Sequence, residues 1–112
     1  MKEYLLLIRG GDARVAELTE EETEKHILDW RVYMGDLSEK GHLLGGLPLK
    51  RDGRLITSEG VSEDMVLTQH GDCIGGYLFF KAKDYDEAVA LAKDCPIFKM
   101  GGSIEVRAAM PM

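Results

Sequence analysis

Gly75-Gly76-Tyr77-Leu78-Phe79-Phe80-Lys81-Ala82 runs directly into Lys83-Asp84-Tyr85-Asp86-Glu87-Ala88-Val89-Ala90-Leu91-Ala92. The first eight residues read as a strand with apolar side chains on both faces. Alternate residues of a strand point to opposite sides, so Tyr77 and Phe79 need one apolar environment while Leu78 and Phe80 need another. The residues that follow read as a helix. Asp84 and Glu87 make a capping pair, Ala88, Leu91 and Ala92 face inward, and Pro96 ends the element.

The same pattern recurs at the start of the chain. Tyr4-Leu5-Leu6-Leu7-Ile8 is a short apolar run stopped by Arg9-Gly10-Gly11-Asp12, and its length favours a buried strand over a helix. Thr19-Glu20-Glu21-Glu22 has the form of a capping box and opens a helix predicted from Glu20 to Lys40. Its apolar stripe is Ile27, Trp30, Met34 and Leu37, and Gly41 is its stop. His42 to Leu49 reads as a second strand, with Gly45, Gly46 and Pro48 pointing to a bulge or an edge. Asp52-Gly53 is a tight-turn dipeptide that would fold this segment into a hairpin arm. Glu59 to Gly71 has no firm periodicity. Ser103-Ile104-Glu105-Val106-Arg107 alternates apolar and charged residues, as a half-exposed strand does.

The resulting order is βαββαβ plus an inserted hairpin. It predicts an α+β, ferredoxin-like fold with a four-stranded antiparallel sheet and both helices on one face. The other face would keep one apolar set from each of the two central strands. Left wet, it would exceed the few hundred Å² of apolar patch that monomers usually carry, so a homodimer through the open sheet face is expected.

Composition narrows the partners. The 112 residues suit one domain, 1–112, and 14 basic against 20 acidic residues give a formal net charge of −6. That balance disfavours nucleic acid and anionic membrane surfaces. Cys73 and Cys95 lack disulfide-framework or zinc spacing, so two free thiols and a cytoplasmic location are expected. The apolar run at Tyr4 is too short for a signal core or a membrane span. No cofactor loop follows Gly10-Gly11 or Gly45-Gly46, and no metal set with three or four ligands is evident.

Residues able to carry chemistry are few. His26 lies four residues before Trp30 and seven before Tyr33, at the edge of the stripe, where it is either a stacked structural histidine or an acid/base group at a pocket rim. His42, at the helix exit, reads as a favourable end charge. Gln69-His70-Gly71-Asp72-Cys73 places His70 and Asp72 together ahead of a buried strand as a candidate acid/base pair, whereas Cys73 reads mainly as a small hydrophobe. Trp30 and Tyr33 are either core or ligand-stacking residues. Arg9 and Arg107, on adjacent central strands, would bind a carboxylate or pair with Glu105 or Glu3.

Taken in order and spacing, several of these stretches resemble the YCII-related family, the small proteins often marked by a DGPF motif, within the dimeric α+β barrel superfamily. The carriers are Met1 to Ile8, Trp30 with Tyr33-Met34, Gly41 followed by Gly45-Gly46-Leu47-Pro48-Leu49, Gly75-Gly76-Tyr77, Asp86-Glu87-Ala88 and Gly102 to Arg107. The resemblance implies a ferredoxin-like subunit, dimers with sheets face to face, and a pocket beside the long helix. Two departures stand out. The DGPF position falls on Asp64-Met65-Val66-Leu67, and the histidine and acidic positions of the family's helix-borne pair fall on Trp30 and Glu39. Two main functions follow as expectations. One is a module that binds a small molecule, with Trp30, Tyr33, Glu39, Arg9 and Arg107 as ligand contacts; the resemblance also implies a link to transcription control through sigma factors. The other is a lyase-like or hydrolase-like enzyme using His26, His70 and Asp72. A purely structural dimer is the third.

Overall fold

A computed structural model of the protein describes residues 1–63 and 72–112. The elements in order are β1 (Lys2–Arg9), α1 (Asp12–Ala16), α2 (Glu20–Glu39), β2 (Leu43–Pro48), β3 (Leu55–Thr57), β4 (Gly60–Ser62), β5 (Ile74–Ala82), α3 (Tyr85–Ala92) and β6 (Ser103–Ala108). A 3-10 turn, Pro96–Met100, links α3 to β6. Four strands form one antiparallel sheet in the order β2-β5-β1-β6, and β3 pairs with β4 in a separate hairpin. This is the ferredoxin-like α+β arrangement. Among the described residues no helix is long and apolar enough to cross a membrane. The segments Asp64-Met65-Val66-Leu67 and Gln69-His70-Gly71 lie outside the described residues.

The register explains which apolar set goes where. Tyr4 pairs with Phe80 and Leu6 with Leu78 across β1 and β5. These four residues are fully buried, with Tyr33 and Leu37 of α2 and Ala88 and Ala92 of α3 in the same cluster. Full burial of such a side chain is worth about 1.5–3 kcal/mol, so this layer supplies most of the fold's driving force. The helices hold because their ends are satisfied. Thr19 Oγ1 accepts from the Glu22 N–H at 3.1 Å, and Glu22 Oε1 accepts from the Thr19 N–H at 3.0 Å. Asp84 Oδ1 accepts from the Glu87 N–H at 2.8 Å. The Tyr33 hydroxyl donates to the Leu91 carbonyl at 2.9 Å, which satisfies one of the last acceptors of α3 and clamps the two helices together. Burial and the nearby acidic groups push the Tyr33 hydroxyl pKa up, so it stays protonated as a donor.

The other face of the sheet carries Leu5, Leu7, Tyr77 and Phe79, all half-buried, and no helix packs on it among the described residues. Beside them runs a chain of ion pairs. Arg9 donates through Nη2 and Nε to Asp72 Oδ1 at 3.0 and 3.3 Å and through Nη1 to Glu105 Oε1 at 3.1 Å. Arg107 Nη1 reaches Glu105 Oε2 at 3.1 Å.

Four details depart from the sequence reading. Asp52-Gly53 does not turn the hairpin; Ser58-Glu59 does, between Thr57 and Gly60, where Thr57 Oγ1 accepts from the Glu59 N–H at 3.2 Å. α1 is an extra helix, too short to show a period. The buried stripe of α2 is rotated from the expected one. Its buried residues are His26, Tyr33 and Leu37, with Trp30 and Met34 half-buried and Ile27 47% exposed, because Tyr33 is drawn toward α3. His42 ties both elements: its backbone N–H donates to the Leu37 carbonyl at the end of α2 at 2.9 Å, and its Nδ1 donates to the Lys81 carbonyl of β5 at 2.8 Å, a contact the sequence reading did not include.

Candidate functional site

Between α2 and the β2–β5 side of the sheet lies a cleft of about 590 Å³ with a mostly apolar lining. Its floor is Ile8 and Leu78 together with the nearly bare backbone of Gly46 and Gly76. These two glycines let β2 and β5 approach closely. A Cβ on Gly46 would sit 2.5 Å from Leu78 Cδ2 and 2.6 Å from the Tyr77 carbonyl oxygen, and one on Gly76 would lie 3.2 Å from the Leu47 carbonyl oxygen. Without side chains at these positions, the space in front of α2 stays open. One wall is the α2 face with His26, Trp30 and Met34; Val15 of α1 and Ile97 of the 3-10 turn close one end, and Arg31 and Arg51 stand at the lining's charged positions. Arg51 is tied to Asp12 at 2.9 Å.

His26 is the polar group buried in this wall, only 9% exposed. The indole Nε1–H of Trp30, one turn on, donates to His26 Nε2 at 3.1 Å, with the two rings edge to face. A nitrogen that accepts carries no proton, so the neutral ring holds its hydrogen on Nδ1. That Nδ1 is buried and has no hydrogen-bond partner among the described residues. Burial lowers the His26 pKa, and Lys99 adds to this while Asp29 opposes it, so the ring is neutral near pH 7. Asp29 is not available as a relay partner. Its carboxylate binds Lys25 at 2.6 Å and Lys99 at 3.2 Å, and those bonds hold its own pKa down.

The remaining nominated residues are scattered. Trp30 lines the cleft with His26, but Tyr33 lies behind the wall in the core. Glu39 ends α2, exposed and away from the lining, so the family's paired positions, Trp30 and Glu39, do not meet in the cleft. Arg9, Arg107 and Asp72 belong to the ion-pair chain on the opposite face. His70 lies outside the described residues, so the His70 and Asp72 pair has no described geometry. Cys73 lines the cleft and Cys95 is buried elsewhere; both are free thiols, and burial pushes Cys95 up to about 11, leaving it inert. Among the described residues no three His, Cys, Asp or Glu side chains converge as a metal site. Two features of the lining were not among the nominated residues: Arg31, which lies off the apolar stripe, and the glycine floor, whose role rests on contacts between strands distant in sequence.

Comparison with known proteins bears on the fold and the family. Nothing matches among curated proteins. Among solved structures, 5-chloro-2-hydroxyhydroquinone dehydrochlorinase (TftG) from Burkholderia phenoliruptrix AC1100, in complex with 2,5-dihydroxybenzoquinone, is similar over 96% of this chain and 93% of its own. Its TM-score is 0.51 at 16% sequence identity. At that identity the likeness speaks for the fold. The YCII-related domain matches residues 3–112, so the chain belongs to the YCII-related family.

Proposed function

We propose that this YCII-related protein binds a small, largely apolar molecule in the cleft beside α2 and works as a cytoplasmic homodimer built from a single domain. The observation that carries the reading is the cleft itself, about 590 Å³, with a mostly apolar lining that includes the His26 side chain. Ligand pockets usually span about 300–1,000 Å³ and combine an apolar lining with a few convergent polar groups. TftG, bound to a small ring compound, supports the same use of the fold by analogy. The half-buried Leu5, Leu7, Tyr77 and Phe79 on the uncovered sheet face support the dimer, and the two free cysteines support a reducing compartment.

The second reading is a general acid/base enzyme centred on His26, favoured by its neutral ring and its place in a cleft. Binding is preferred because Asp29, the carboxylate whose charge acts on His26, is engaged by two lysines. A thermal-shift screen of the pure protein against a metabolite library tests the proposal, since a ligand of the folded state raises the melting temperature. At least one compound should stabilise the protein in a saturable way, and silence across a broad library would refute it. Conversion of that compound, lost in His26→Ala with folding intact, would promote the enzyme reading.

A further inference from the structure

The arc of α2 that lines the cleft runs from a sealed edge to an open one. At about 100° per residue, Trp30 lies about 40° round the helix from His26, Met34 about 80°, Ile27 about 100° and Arg31 about 140°. Burial follows the same order. His26 is buried at the inner edge, Trp30 and Met34 are half-buried, and Ile27 and Arg31 are exposed at the outer edge, one turn apart. Arg31 therefore stands at the mouth, and it makes no hydrogen bond or ion pair among the described residues.

The charges of the lining do not cancel. Among the described residues, two arginines stand against one aspartate, and Asp12 is already bound by Arg51 at 2.9 Å, so the surplus is the Arg31 guanidinium. His26 is neutral near pH 7 and adds none. On a chain of net charge −6, the mouth is a local reversal of sign that attracts an anion. Behind it the side chains are chiefly branched aliphatics: Ile27 at the rim, Ile8 and Leu78 on the floor, Val15 and Ile97 at one end. The indole N–H of Trp30 is spent on His26, so that residue offers apolar surface alone.

We infer that the cleft takes a carboxylate with an aliphatic body, the carboxylate held by Arg31 at the mouth and the body lying inward along Ile27, Trp30 and Met34. The inference rests on the binding reading above and specifies its ligand. A guanidinium presents a fork of N–H donors that matches one carboxylate, so Arg31 alone serves a monoanion. The head stays at the wet rim and only methylenes leave water, so no charge is buried without a partner. His26 Nδ1, sealed from solvent, takes no part.

Probes with one body and three heads test this. Octanoate, octanol and octylammonium are titrated at neutral pH against the fluorescence of Trp30, the only tryptophan in the chain and part of the cleft wall. In the native protein octanoate binds about tenfold more tightly than octanol, and octylammonium binds most weakly. Hexanoate binds about tenfold more weakly than octanoate, since each buried methylene is worth about a threefold change. Arg31→Gln brings octanoate down to the level of octanol and leaves octanol unchanged. Arg31→Glu reverses the order of octanoate and octylammonium. Position 31 is exposed, so both variants keep the fold, which circular dichroism checks. Equal affinity of octanoate and octanol for the native protein, or equal weakening of the two by Arg31→Gln, overturns the inference. If no octyl probe binds but the metabolite screen finds another ligand, the inference falls while the binding reading stands; silence in both removes both.

Discussion

Gly46→Ala exposes how the cleft is made. The new Cβ would stand 2.5 Å from Leu78 Cδ2 and 2.6 Å from the Tyr77 carbonyl oxygen. Leu78 is 2% exposed and packed in the core, and the carbonyl belongs to the backbone of a central strand, so neither can swing away. β2 must instead move outward from β5. Overpacking of this kind costs about 1–3 kcal/mol, and at roughly 4 °C per kcal/mol for a chain of this size the melting temperature should fall by about 4–12 °C. The adjacent Gly45 is the internal control, since a Cβ there meets nothing within 4 Å. Gly45→Ala should stay within about 0.5 kcal/mol of the native protein. Differential scanning calorimetry of the two variants decides the point. Equal melting temperatures for both, or an undisturbed Gly46→Ala, would refute the view that a close strand approach at Gly46 builds the floor.

Three further outcomes are expected. Tyr33→Phe removes the bond at 2.9 Å to Leu91 and leaves that carbonyl unmatched, so urea denaturation should show a loss of about 1–2 kcal/mol. The fold holds His26 neutral with its pKa below the ordinary 6.5, so between those values the unfolded chain binds more protons than the folded one. His26 therefore lends stability above about pH 6.5 that fades as the pH falls, and melting curves from pH 7.5 to 5 should slope less in His26→Phe; parallel slopes would remove His26 as the cause. Phe79→Arg on the uncovered sheet face should turn a sedimenting dimer into a monomer with unchanged circular dichroism, whereas a native protein that already sediments as a monomer would end the dimer proposal.

Much of the fold was legible because its signals are local. The capping box at Thr19 and the Asp84 N-cap mark the starts of α2 and α3, and the both-faced runs around Leu6 and Leu78 mark the central strands. What escaped depends on contacts distant in sequence. The hairpin turn chose Ser58-Glu59 over Asp52-Gly53 because Leu55–Thr57 pairs with Gly60–Ser62, a preference that the dipeptide alone does not carry. The stripe of α2 rotated toward Tyr33 because its hydroxyl meets Leu91, 58 residues away. Of the site, the spacing of His26 and Trp30 was readable, since residues four apart on a helix touch. For Arg9 and Arg107 the alternative of pairing with Glu105 was readable and is what the structure has, whereas their place on the face away from α2, with Asp72, follows only from the sheet register.

The claim that the cleft beside α2 is the ligand site is tested most directly by amide chemical-shift mapping with the best compound from the metabolite screen. The single indole N–H signal of Trp30 should shift, together with the backbone signals of Gly46, Gly76 and Met34, in one saturable titration. Shifts confined to the β3–β4 hairpin or to Leu5, Leu7 and Phe79 on the uncovered sheet face, with Trp30 unmoved, would contradict it.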